Sequence, residues 1–242
     1  KVVELQKKYA GQKNVTNSLQ TNGLMINEEW CEFLAENKFL VGLSIDGPAP
    51  IHDRYRIDRG QGPTFRKVRN ALRLLKKWNV SFNTLTSVTP EVARNPLQVY
   101  EFLKNTGTVF MQFIPIVERI PDERTRSVGL QLTEPRPGAR EESTEVTEWS
   151  VDPKEYGDFL ISIFDSWVRN DVGKIFVQLF DVSLAAWAGQ NPPLCNFSKM
   201  CGNAMIIEHN GDIYSCDHFV YPDHRLGNIM TDPVEKIVEQ PA

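Results

Sequence analysis

From Val15 to Ile116 strand-like and helix-like segments alternate, and this alternation limits the possible folds more than any other feature. Val15–Gln20, Phe39–Ile45, Val80–Val88 and Val109–Ile116 read as strands. Between them, Asn27–Asn37, Thr64–Trp78 and Pro96–Asn105 read as helices, with Val68, Leu72 and Leu75 on one face of the second. Repeated β-α units predict a parallel sheet with helices outside. In such folds chemistry sits at the carboxyl ends of the strands.

From Pro121 to Pro153 the periodicity fades into Pro, Glu, Arg and Thr, which predicts a long loop or linker. Asp152-Pro153 then opens a helix over Pro153–Asn170, with Tyr156, Phe159, Leu160, Ile163 and Trp167 at helical spacing. A second helix is expected over Val172–Ala188, ended by Pro192-Pro193. With 242 residues the chain can hold one large domain or one plus a small one.

The segment Cys195–Asp217 holds three of the chain's four cysteines. Ala204–Glu208 is an apolar run, Asn210-Gly211 is a turn signal, and Asp212–Ser215 leads back, so a β-hairpin is expected. Cys201 and Cys216 bracket it, Cys195 lies six residues before Cys201, and Asp217 and His218 follow Cys216. Clustered thiols without a secretion signal point to metal binding in a reducing compartment, against the plainer reading of a disulfide or inert thiols. Thiolates suit zinc or an iron–sulfur cluster. Either closed site needs four ligands, so His209, His218 or His224, or a cysteine outside the chain, would complete it. Asp217 is either a solvated turn acid or a functional acid beside a cationic centre. Cys31, between Trp30 and Phe33-Leu34, reads as core packing.

Net charge of −4 argues against nucleic acid or an anionic membrane as a partner, and no apolar run approaches a membrane span. At the strand ends, Ser44 and Asp46 alternate along one strand and share a face, and His52, Asp53, Arg54 and Arg56 follow in a loop. An Arg there is either a clamp for a carboxylate or half of a surface ion pair. Val117 lies just beyond the fourth strand.

Taken in order, TNG at 21–23, LSIDGP at 43–48 followed by HDRYR, QFIPIVE at 112–118, and CNFSKMCGN…NGDIYSCDHFV with HRLGNI resemble the anaerobic sulfatase-maturating enzymes. These are radical S-adenosylmethionine (SAM) enzymes with a SPASM auxiliary-cluster domain. The resemblance implies an α/β fold: a partial (β/α)6 radical SAM barrel over 1–120, a linker and helices over 121–190, and the first half of a SPASM domain with its β-hairpin over 191–242. It implies that Ser44 and Arg56 engage polar parts of SAM, Arg56 near its carboxylate, and that Val117 lines the adenosine. Cys195, Cys201 and Cys216 would be three ligands of the first auxiliary [4Fe–4S] cluster, and Asp217 the general base. In the family, a 5′-deoxyadenosyl radical takes a hydrogen from Cβ of a sulfatase Cys or Ser, which becomes formylglycine. The implied partners are a sulfatase segment of the form Cys/Ser-x-Pro-x-Arg and an electron donor such as flavodoxin or ferredoxin, in the cytoplasm.

No CxxxCxxC motif or Gly-Gly-Glu stretch is present in the chain, and the family's later cluster cysteines are absent. The expectation is therefore a fragment cut at both ends, inactive alone, with activity in the full-length parent. The rivals are another SPASM-type peptide modifier, a zinc-stabilised binding module without redox function, and a metal-free hydrolase using Asp46.

Overall fold

The computed structural model describes residues 1–121, 123–127, 146–192, 194–199 and 204–238. They fall into two compact units, Lys1–Ile116 with Trp149–Asp181, and Val117–Glu148 with Val182–Ala242.

The elements of the first unit are α1 (Val2–Tyr9), β1 (Ser18–Thr21), α2 (Glu28–Glu36), β2 (Leu40–Ser44), α3 (Ala49–His52), α4 (Phe65–Lys77), β3 (Ser81–Val88), α5 (Pro90–Ala93), α6 (Pro96–Asn105) and β4 (Phe110–Pro115). After α7 (Glu123–Ser127), which belongs to the second unit, the chain returns as α8 (Pro153–Asn170) and β5 (Phe176–Val177) and enters α9 (Gln178–Trp187). The strands form one sheet in the order β1-β2-β3-β4-β5, every pairing parallel. This is the α/β architecture that the alternation predicts.

Local chemistry fixes the helix starts. Asn27 caps α2 by accepting the Trp30 N–H at 2.8 Å, and Asp152 caps α8 through Lys154 and Glu155, with Pro153 at the first helical position. The two sheet faces differ. Val41, Leu43, Met111, Phe113 and Val177 are buried in one core with Val68, Leu72 and Leu75 of α4, Leu103 of α6, and Phe159 and Ile163 of α8. Strand alternation puts Ser18, Gln20, Gly42, Ser44, Asn83, Leu85, Ser87 and Gln112 on the other face. Apart from Leu85, these residues are half-buried or exposed. One face is therefore a hydrophobic floor for helices, and the other mixes these residues with the exposed Leu40, Phe110 and Ile114.

The second unit contains α7, a sheet of β6 (Ile206–Ile207), β7 (Asp212–Tyr214) and β8 (Arg225–Asn228), and α10 (Val234–Val238). Both pairings are antiparallel. Ile213, Tyr214 and Ile237 are its buried apolar residues in this region. The hairpin forms where expected, but its loop is His209-Asn210-Gly211, one residue longer than Asn-Gly alone. Gly211 N–H donates to the Glu208 carbonyl at 2.9 Å and Gly211 takes φ +89°, the left-handed position such loops reserve for glycine.

Two expectations need correcting. The helix expected over Val172–Ala188 begins only at Gln178, because Phe176 and Val177 join the sheet beside Phe110 and Met111. The hairpin is also not alone, since β8 adds a third strand.

Candidate functional site

At the end of β2 the chain leaves the sheet through Ile45, Asp46 and Gly47. Asp46 is only 4% exposed. Its Oδ2 accepts Arg56 Nε at 2.5 Å, and its Oδ1 accepts Arg56 Nη2 at 3.1 Å and the Ser87 N–H at 2.9 Å. Arg56 Nη2 also donates to Ser87 Oγ at 3.0 Å. Three donors on a buried carboxylate hold it in a fixed pose.

The loop that carries Arg56 is fixed from below. His52 is fully buried; its Nδ1 accepts the Asp46 N–H at 3.2 Å, and its Nε2 lies 3.1 Å from Thr64 Oγ1. An acceptor Nδ1 carries no proton, so the imidazole is the neutral Nε2–H form, donating to Thr64. Thr64 Oγ1 in turn donates to the Arg56 carbonyl at 2.6 Å. Burial pushes the His52 pKa down, which favours this neutral form. Asp53 Oδ1 accepts the N–H groups of Thr64 and Phe65, tying the loop to the start of α4.

Ser44 is the last residue of β2, half-buried, in register with Leu85 on the face opposite the core. Ser44, Arg56 and the Asp46 that binds Arg56 thus lie at or just beyond the C-terminal end of β2. Val117 is 61% exposed and belongs to the second unit. Asp46 was legible as a strand-end acid, but its pairing with Arg56 and Ser87 was not. That pairing disfavours the hydrolase rival, because both oxygens of Asp46 are already engaged by Arg56 and Ser87.

In the second unit, Cys216 is half-buried and begins a short 3-10 turn, Asp217–Phe219. Its Sγ accepts the His218 N–H at 3.3 Å. His218 Nδ1 lies 3.0 Å from Asp217 Oδ1, and both side chains are largely exposed. One ligand atom each from Cys216, Asp217 and His218 lie within 4.8 Å of one another. Cys195 is exposed in another 3-10 turn, Cys195–Phe197, and Cys201 lies outside the described residues. An accessible thiol that receives an N–H is suited to act as a thiolate ligand, so this donor set fits a metal or an iron–sulfur centre. Cys31 is fully buried, and burial raises its pKa, as expected of an inert packing thiol.

Side-chain hydrogen bonds tie the hairpin loop to β7 and β7 to β8. Asp212 Oδ1 accepts Arg225 Nε at 2.6 Å and Asn228 Nδ2 at 2.9 Å, and its N–H donates to Asn210 Oδ1 at 3.0 Å. The Asn228 and Arg225 donors hold the Asp212 carboxyl below its usual range. No described helix is long and apolar enough to cross a membrane.

The chain is thus an α/β protein: a five-stranded parallel sheet followed by a small antiparallel unit that carries Cys216. Residues 195–242 match the model of SPASM, an iron–sulfur cluster-binding domain. The chain is 44% identical to a serine-type anaerobic sulfatase-maturating enzyme of Bacteroides thetaiotaomicron, over 98% of this chain and 56% of the relative. It is 35% identical to a cysteine-type enzyme of Clostridium novyi, over 89% of this chain and 53% of the relative. Among solved structures, native anSMEcpe with bound AdoMet and Kp18Cys peptide superposes with TM-score 0.76 at 34% identity, covering 98% of this chain and 61% of that one. In sequence and fold the chain is similar to the anaerobic sulfatase-maturating enzymes. It spans between about half and three fifths of the length of these proteins.

Proposed function

We propose that the protein containing this chain oxidises an active-site Cys or Ser of a sulfatase polypeptide to formylglycine. The observation that carries this reading is the pairing, in one chain, of the Ser44/Arg56 strand end with the Cys216-Asp217 hairpin, in the order the family requires. SAM would be held by Ser44 and Arg56, with Val117 lining the adenosine. Cys195, Cys201 and Cys216 would hold part of a [4Fe–4S] cluster. When bound, SAM would supply the radical chemistry that oxidises the target residue at Cβ. Asp217 is the proposed general base: its carboxylate is exposed and can receive the thiol or hydroxyl proton of that residue at Oδ. The electron released needs an acceptor, and the SAM-cleaving step a donor; flavodoxin or ferredoxin fits the latter. Free thiols and thiolate-held clusters favour a reducing compartment, and the cytoplasm is the proposed location.

The proposed division of the chain is barrel to residue 120, linker and helices to 190, and cluster domain beyond. The chain alone lacks the CxxxCxxC cysteines, so turnover belongs to the longer protein. The test is incubation of that full-length protein, reduced and with SAM, with a Cys-x-Pro-x-Arg peptide. A mass loss matching an aldehyde, trapped by a hydrazide, is expected. A thioether or carbon–carbon crosslink would point to a different SPASM-type modifier.

A further inference from the structure

Arg56 uses most of its hydrogen-bonding capacity inside the protein. A guanidinium has five N–H groups: one on Nε and two on each Nη. Nε and one Nη2 hydrogen meet the two oxygens of Asp46, and Nη2 also donates to Ser87 Oγ. Nη1 has no acceptor among the described residues. The Arg56 side chain is 24% exposed and that of Asp46 6%, so Arg56 is the accessible member of the pair.

Nothing in this cluster is loose. Asp46 Oδ1 is pinned to the Ser87 backbone, the Asp46 N–H to His52, and the Arg56 carbonyl to Thr64. A guanidinium with its whole fork free would clamp a ligand carboxylate through two parallel hydrogen bonds. Here Asp46 occupies the Nε/Nη2 fork and neutralises the charge.

We propose that Asp46 is the positioning residue for Arg56, turning the guanidinium so that Nη1, and not the fork, meets the carboxylate of SAM. The inference rests on the functional reading above, which brings SAM to Arg56. Recognition at this point then depends on the direction of one N–H group rather than on a surplus of positive charge. Lysine, with no planar fork to anchor, cannot replace Arg56.

The test is a double-mutant cycle read by SAM binding, using calorimetry on the full-length protein reconstituted without oxygen. Asp46→Asn and Arg56→Gln are each expected to weaken binding about tenfold, the loss of roughly one charge-assisted hydrogen bond. The double variant is expected to be no weaker than Arg56→Gln alone, because Asp46 acts only through Arg56. Ser87→Ala, which removes a single acceptor, is the gentler probe: a two- to threefold loss alone, and none in the Arg56→Gln background. Losses that multiply to about a hundredfold in the double variant would show a merely structural Asp46 and overturn the proposal. Wild-type affinity in Asp46→Asn would overturn it as well. A wild-type protein that binds no SAM would defeat the functional reading itself, a result distinct from either.

Discussion

Acid is expected to loosen the first unit through His52, and the size of the effect follows from its contacts. The imidazole is fully buried between the Asp46 N–H and Thr64 Oγ1. Protonation puts a hydrogen on Nδ1 facing the Asp46 N–H, so two donors oppose each other in a site without water access. Burial lowers the folded pKa below the ordinary histidine value. The unfolded chain then binds a proton that the folded one refuses, so this contribution is fully present above about pH 6.5 and is lost as pH falls toward the folded pKa. The limiting slope is about 1.4 kcal/mol per pH unit, which gives a loss of up to about 1 kcal/mol between roughly pH 6.5 and 5.5. Amide hydrogen exchange of β2 and β3, measured across that range, reports opening of this unit alone. His52→Gln, which cannot titrate, is expected to be less stable at neutral pH but to lack this slope. Equal slopes in the two proteins would refute the assignment of His52 as a buried neutral acceptor.

Gly211→Ala places a methyl 2.9 Å from Asn228 Oδ1 and 3.1 Å from Met230 Cγ at a φ of +89°, so it is expected to cost the hairpin about 1–3 kcal/mol. Exchange protection in β6–β8 should fall while that of β1–β4 is unchanged; full protection in β6–β8 would contradict the strain. Tyr100→Phe removes the hydroxyl that donates to the buried Asp171 carboxylate at 2.7 Å, leaving only the Lys104 ammonium at 2.8 Å. Urea unfolding of the first unit should register a loss of about 1–2 kcal/mol, and no loss would mean that Lys104 alone satisfies Asp171.

The first four strands were legible because each is long enough to show its alternation and is bounded by caps or turn residues. β5 was not, because it is two residues long and exists through pairing with Phe110 and Met111. The residues Ile175–Phe180 on their own also suit the start of a helix. β8 was hidden for a similar reason: its four residues follow a 3-10 turn and are held by side-chain bonds from Asn228 and Arg225 to Asp212. The thiols were visible from spacing. The Asp46–Arg56–Ser87 cluster was visible only in part, because strand order and loop path, not spacing, bring residues 46, 56 and 87 together.

The hairpin cysteines as ligands of an iron–sulfur cluster are most directly tested by iron and sulfide content together with visible absorption. The measurement is made on the full-length protein purified without oxygen, for wild type and Cys216→Ala. A brown wild type with iron for several [4Fe–4S] clusters, and a variant lacking about one cluster's worth, is the expected result. Iron unchanged in the variant would contradict the assignment of Cys216, and a colourless protein with stoichiometric zinc would also remove the chemical basis for the radical reaction.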